Sequence, residues 1–329
     1  MYPDIPFWLT LPFIAGGLWL LSWSANKFVD GSEAVAISLK LSPFVIGMVI
    51  IGFGTSAPEL AVSALSAIGG HADLSLGNAY GSNTYNIGVI LGLSAIMTPL
   101  VVRPVVSFVA VPLLLGVSVL SCVLVSLGGG LSRLDAFIFL LAFAILLPLY
   151  CWVDKKAKTD EEDPQLEKSH TVLKHPWLAV VFGLALLVGS SHLLVWGAVD
   201  FARTLGVSEL LIGLTVVAAG TSLPELASAI VSVRRGQHDF VLGNIIGSNF
   251  FNTLMVVGVS GAISPFSDVS PNILVRDLPV MLFLTLAIAI FGVNRKSWRE
   301  NGLLSRLGGF VMLPAFLIYL GVMIVQEIK

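Results

Sequence analysis

The chain has 329 residues, of which 56% are hydrophobic and only 12% charged, and its mean hydropathy is +0.93. That balance excludes a soluble domain and makes the lipid bilayer the chain's solvent. A formal net charge of -2 gives no footing for a nucleic-acid partner.

Apolar runs of roughly 17 to 25 residues read as membrane-spanning helices. Ten follow in chain order, at 6–25, 43–69, 73–97, 104–126, 132–153, 177–197, 208–233, 239–263, 273–293 and 302–325. The first has no Lys or Arg before it and no small-residue cleavage site within it, so it reads as a retained helix rather than a signal peptide. Cys122 and Cys151 fall in or at the end of spans, where a buried apolar role is the default.

The spans divide into a first half at 1–153 and a second at 177–329, around a charged linker at 154–176. Five spans per half is an odd number, so the second half enters the membrane from the opposite side. The expected fold is an all-α membrane protein with ten transmembrane helices arranged as two inverted five-helix repeats, an architecture that places substrate sites near the bilayer midplane. Loop charge tests the orientation independently. With the N-terminus outside, the inward loops hold Lys27, Lys40, Arg103, Lys155, Lys156, Lys158, Lys168, Lys174, Arg234, Arg235, Arg295, Lys296, Arg299 and Arg306, which are 14 of the 18 basic residues. Both termini are therefore expected outside the cytoplasm and the linker inside it.

The halves also share sequence. Gly47 to Pro99 recurs as Gly213 to Pro265 at an offset of 166, with 21 of 53 positions identical and no gap. What is shared is mostly polar, small or helix-breaking: Gly54-Thr55-Ser56, Pro58-Glu59, Gly77-Asn78, Gly81-Ser82-Asn83 and Asn86. The second copy has Gly220-Thr221-Ser222, Pro224-Glu225, Gly243-Asn244, Gly247-Ser248-Asn249 and Asn252.

An ionisable group at membrane depth costs roughly 2.5 to 3.5 kcal/mol on insertion scales. Glu59 and Glu225 each sit near the middle of a span with no equally central Lys or Arg, so a bound cation or a proton is the expected counter-charge. Pro58 and Pro224 lack the amide that would bond the carbonyls of Gly54 and Gly220, and Thr55 and Thr221 lie four residues before the carboxylates. Asn78, Ser82 and Asn86 share one helical face, as do Asn244, Ser248 and Asn252. Asn83 and Asn249 point off that face, where helix-helix hydrogen bonding is the bland reading. Glycines 77, 81, 243 and 247 are expected to allow close helix approach. The donor set is all oxygen, with no matched thiolate or imidazole, and suits calcium and sodium rather than zinc or copper.

The strings GTSAPEL and GTSLPEL, each followed by GN-x-x-GSN-x-x-N, resemble the alpha repeats of the cation/calcium antiporter superfamily, most closely its prokaryotic sodium/calcium exchangers. The motif blocks cover about a third of the chain. The resemblance implies coupled exchange of Ca2+ against Na+ as transported substrates, with no resident cofactor. It makes Glu59 and Glu225 the central calcium ligands, helped by backbone carbonyls at Thr55 and Thr221. It gives sodium sites Ser56, Ser82, Asn86, Ser222, Ser248 and Asn252, with carbonyls near Gly52 and Ala218. Some members of the superfamily have Asp at one or both of the positions held here by Asn86 and Asn252, so the site charge here is at most -2. Potassium co-transport, which the superfamily associates with an added acidic ligand, is disfavoured. A plasma-membrane location, the inner membrane in a Gram-negative source, follows at family level.

Two carboxylates about 5 Å apart repel by roughly 3 kcal/mol at an effective dielectric near 20, which disfavours the empty site and lets protons compete with calcium. Alternating access is expected from the first and sixth spans sliding across helices 2, 3, 7 and 8. A proton/calcium antiporter on the same scaffold is the second reading, since only the coupling ion changes; the surrounding hydroxyl and amide oxygens favour sodium. A cation channel is third, because pores usually repeat around a subunit axis. A membrane enzyme is the most distant: there is no His-Glu-x-x-His pattern and no nucleophile paired with a base. Asp73 and Asp239 read as N-caps, Asp160-Glu161-Glu162-Asp163 as solvated linker, and Arg276-Asp277 as an interfacial ion pair.

Overall fold

The computed structural model describes residues 6–157, 173–207, 218–293 and 299–328, together with Ile212 and Val216. The acidic run 160–163, Lys158, Lys168, Arg295, Lys296 and most of 208–217 lie outside the described residues.

The described chain is mostly helical. Among the described residues, seven helices are long and apolar enough to cross a membrane: Trp8–Leu39, Val106–Gly128, Arg133–Ala157, Pro176–Thr204, His238–Ile263, Ile273–Gly292 and Arg306–Gln326. A broken pair, Pro43–Thr55 and Ala57–Ile68, bends by 44° and makes an eighth if counted as one span. The helical stretch from Ala72 to Met97 is not among them. It carries an exposed Asp73, a half-buried Asn78 and the buried Ser82, Asn83 and Asn86, polar residues that lower its mean hydropathy.

The first helix corrects the sequence reading. It runs from Phe7 to Leu39, 33 residues, where hydropathy gave 6–25. The apolar run ends near Trp23, but the helix continues because Ala25, Phe28, Val29, Val35 and Ala36 remain buried. Asn26 and Asp30 meanwhile bond Arg235, each at 2.7 Å. Lys27 therefore lies inside a helix rather than in a loop. At 1.5 Å per residue the helix is about 50 Å long, well beyond a hydrocarbon core of about 30 Å, so it tilts or protrudes. It stops at Lys40, whose left-handed φ of 54° ends the hydrogen-bond ladder. The sixth predicted span likewise extends, from Pro176 to Thr204.

These two long helices pack antiparallel, and they touch by repetition. Gly17 faces Leu194 and Gly183 faces Phe28; Gly31 faces Ala179 and Val180, and Gly197 faces Phe13 and Ile14. Shifting either member of each pair by 166 gives the other contact. Ser24 and Ser190, themselves 166 apart, meet at 3.4 Å. The same offset relates the π-helical turns Asn86–Leu91 and Asn252–Val256, the in-helix prolines Pro148 and Pro314, and the positive-φ pairs Gly70 with Gly236 and Lys40 with Gly206. Short extended segments cross between the halves: Leu100–Val102 pairs antiparallel with Gly302–Leu304, and Leu131 bridges Phe266.

The centre of the molecule is His238–Phe251, buried along almost its whole length. Gly243 and Gly247 admit the segment 44–48: a Cβ on Gly243 would collide with the carbonyl oxygen of Phe44, and one on Gly247 would lie 2.6 Å from the Cα of Met48. One end of this helix is anchored by charge. Arg103 contacts Asp239 at 2.5 Å and Asp154 at 3.2 Å, and Asp154 accepts from the Ser42 hydroxyl at 2.6 Å. Asp154, placed in the linker by sequence, is thus a buried residue of the helix Arg133–Ala157. The N-cap reading of Asp73 and Asp239 is overturned. Both lie in the first helical turn, where Asp73 accepts from the Ser270 amide at 2.9 Å and Asp239 pairs with Arg103. Arg276 and Asp277 do form an ion pair, at 2.6 Å, with Tyr319 donating to Asp277 at 3.1 Å.

Candidate functional site

The prolines set the local structure. After the π-helical turn Gly47–Gly52, helix resumes for Phe53–Thr55, breaks at Ser56 (φ -84°, ψ 3°) and restarts at Ala57 with Pro58 in its first turn. The second copy does the same: Ser222 (φ -90°, ψ 8°) precedes Leu223–Arg234, with Pro224 in the first turn. A proline is tolerated there because the first-turn amides have no partner within the helix. Glu59 and Glu225 then fall in the first turn of each restarted helix, where the positive end of the helix dipole favours a carboxylate.

The two carboxylates are buried together. Glu59 is 1% exposed and Glu225 is 0% exposed, and the two side chains are near enough for their charges to interact. Each accepts a hydroxyl from the opposite copy: Ser56 donates to Glu225 Oε1 at 3.2 Å, and Ser222 to Glu59 Oε1 at 3.4 Å. Thr221 also reaches the Glu59 carboxylate, and Thr55 that of Glu225. Ser82 adds a longer contact to Glu59 Oε1, 3.5 Å. Its counterpart Ser248 turns instead to the Gly52 carbonyl, 3.2 Å away. Among the described residues, Oε2 of both glutamates and Oδ1 of both Asn86 and Asn252 are buried without a hydrogen-bond partner. No Lys or Arg among the described residues pairs with either glutamate.

Nine of the ten residues singled out by sequence are buried and Thr221 is half-buried, and Ser56, Ser222, Thr55, Thr221 and Ser82 gather around the carboxylates of Glu59 and Glu225. Asn78 and Asn244, on the same helical faces, do something the spacing alone did not reveal. Asn78 Nδ2 donates to the Glu59 carbonyl at 3.1 Å, and Asn244 Nδ2 to the Glu225 carbonyl at 3.2 Å. They satisfy the backbone beside the break and fix the two glutamate-bearing helices to their neighbours. Asn249, off the polar face, accepts from Asn86 Nδ2 at 3.0 Å.

Buried carboxylate oxygens without partners are costly unless something charged meets them. The donors are carboxylate, hydroxyl, amide and carbonyl oxygens, a hard set carrying a formal charge of -2, which one divalent or two monovalent hard cations would balance.

Known proteins agree with this architecture. The chain matches the family model described as sodium/calcium exchanger protein over residues 9–152 and again over 175–325. It is 41% identical over 313 residues to CaxA of Alkalimonas amylolytica, an alignment covering 93% of this chain and 96% of that protein. It is 36% identical over 320 residues to the inner membrane protein YrbG of Escherichia coli (strain K12), covering 94% and 97%. A solved structure of the sodium-calcium exchanger NCX_Mj, soaked with 10 mM Na+ and 10 mM Sr2+, superposes with a TM-score of 0.80 at 29% identity. The superposition covers 95% of this chain and 98% of that one.

Proposed function

The chain belongs to the sodium/calcium exchanger protein family, and from that premise we propose that it exchanges Ca2+ for Na+ across a membrane by alternating access, with no enzymatic step. The observation that carries the reading is the reciprocal pair Ser56–Glu225 and Ser222–Glu59, which joins two buried carboxylates that each keep one unpartnered oxygen. Glu59 and Glu225 would hold Ca2+ between them, with the carbonyls of Thr55 and Thr221. Ser56, Ser222, Ser82, Ser248, Asn86 and Asn252 would supply neutral oxygens to Na+.

Charge sets the coupling. One Ca2+ or two Na+ neutralise the pair of carboxylates, and a third Na+ leaves the site with a positive charge that responds to membrane voltage. With neither ion bound, the carboxylates repel each other, so the loaded forms are the ones that switch. The reading carries with it ten spans in two inverted five-helix repeats, with both termini outside the cytoplasm of a plasma or inner membrane. The antiparallel contacts between Phe7–Leu39 and Pro176–Thr204 support the inversion, and this helix pair is the element that would slide across the site. Proton coupling would use the two carboxylates alone; the Ser, Thr and Asn oxygens around them support sodium.

The test is 45Ca2+ uptake into proteoliposomes loaded with sodium and diluted into sodium-free buffer, beside a pH-gradient arm. Uptake that requires internal sodium supports the proposal. Uptake driven only by the pH gradient replaces sodium with protons, and uptake indifferent to both gradients rejects exchange.

A further inference from the structure

The repeat predicts that contacts around the site occur twice, and the pairing of its asparagines does not. Asn86 Nδ2 donates to Asn249 Oδ1 at 3.0 Å. The offset of 166 maps this pair onto Asn252 and Asn83. Yet among the described residues both side-chain atoms of Asn252 and the Oδ1 of Asn83 are buried without a partner. The Asn83 amide has been drawn elsewhere, to Thr253 Oγ1 at 2.8 Å and Met281 Sδ at 3.6 Å. The first copy has Ile87 where the second has Thr253, so Asn249 meets no such competitor. Its own amide instead bonds the Asn83 carbonyl at 3.4 Å.

We propose that Asn249 and Thr253 are positioning residues that make the two amide ligands unequal. Asn249 holds Asn86 by its nitrogen and so turns the Asn86 oxygen away from itself and toward the ion. Thr253, by capturing Asn83, leaves Asn252 untethered and able to turn its oxygen to suit whichever cation is bound. The inference rests on the sodium/calcium reading above. Partners that orient a ligand from behind typically control metal affinity by a factor of 10 to 100, without themselves touching the ion.

The full chain in proteoliposomes tests this by sodium-driven 45Ca2+ exchange, read as KM and kcat for Ca2+ and half-saturating Na+. Asn249→Ala should raise half-saturating Na+ about tenfold with kcat little changed, and should add nothing further in an Asn86→Ala background, because it acts only through Asn86. Effects that add independently, or a loss confined to kcat, would overturn the role of Asn249. Thr253→Val removes the competing acceptor and lets Asn83 take the Asn252 amide; it should change the ratio of the Ca2+ KM to half-saturating Na+. A ratio equal to wild type overturns the role of Thr253, and this arm decides even if Asn249→Ala does not fold. Wild-type uptake that ignores sodium instead rejects the underlying sodium/calcium reading, before any variant is compared.

Discussion

Ser56 donates its hydroxyl to Glu225 across 169 positions of sequence, at 3.2 Å. A hydrogen bond to a charged acceptor contributes about 1.5 to 3 kcal/mol, so this contact ties the two broken helices as well as shaping the site. Ser56→Ala and Ser222→Ala should each raise the Ca2+ KM by about tenfold or more. Combined with Glu225→Gln, Ser56→Ala should lose most of its effect, and a double-mutant cycle on exchange rates measures that coupling.

Glu59→Gln and Glu225→Gln each remove one of the two charges that balance a divalent ion. Loss of one partner of a buried charge pair costs about 2 to 5 kcal/mol, so Ca2+ affinity should fall by more than about 30-fold. The same substitutions relieve the mutual repulsion. In detergent without calcium or sodium, each variant should melt at or above the temperature of the native chain, while the stabilisation that added Ca2+ gives the native chain should disappear. A lower melting temperature without ions would show that the carboxylates serve packing instead.

Arg103 joins three segments by bonding Asp154 and Asp239. Arg103→Leu leaves two buried carboxylates facing each other without their cation, a change that costs about 3 to 5 kcal/mol. The variant should lose thermal stability far more than Arg234→Leu, which alters an exposed helix end. Thermal melts of the detergent-solubilised chains compare the two.

Gly243 and Gly247 let the segment 44–48 reach the central helix. Gly243→Ala forces a methyl group into the carbonyl oxygen of Phe44, and backbone cannot step aside as a side chain can. Overpacking costs about 1 to 3 kcal/mol. Exchange should fall sharply in Gly243→Ala, whereas Gly116→Ala, with open space at its Cα among the described residues, should remain near native. Uptake per unit of reconstituted protein reads both.

Much of the site was legible in the sequence because its chemistry is duplicated. A glutamate after a proline inside an apolar run is hard to explain once and harder twice, and Glu59 and Glu225 lie together as that pattern implied. Other features were not legible, for physical reasons. Hydropathy reports where lipid contact ends, whereas a helix ends where its backbone hydrogen bonds do, so Phe7–Leu39 and Pro176–Thr204 outrun their apolar cores. Asp73 and Asp239 looked like caps because a cap is a local event; their real partners, Ser270 and Arg103, come from distant segments. The π-helical turns at Gly47–Gly52 and Asn86–Leu91 have no residue signature of their own, since a widened turn is selected by the packing around it.

The contacts of Gly17 with Leu194 and of Gly183 with Phe28 are one contact made twice. Between separate subunits such an arrangement would be an isologous interface, the seam of a symmetric dimer. In a dimer of identical chains, every substitution on that seam appears on both sides at once, and neither side can specialise. Fusing the two halves into one polypeptide removes that restriction. Lys40 can stand where the other half keeps Gly206, and Thr253 where the other half keeps Ile87. Covalent linkage therefore gives this molecule the geometry of a dimer with the freedom to make its two faces differ.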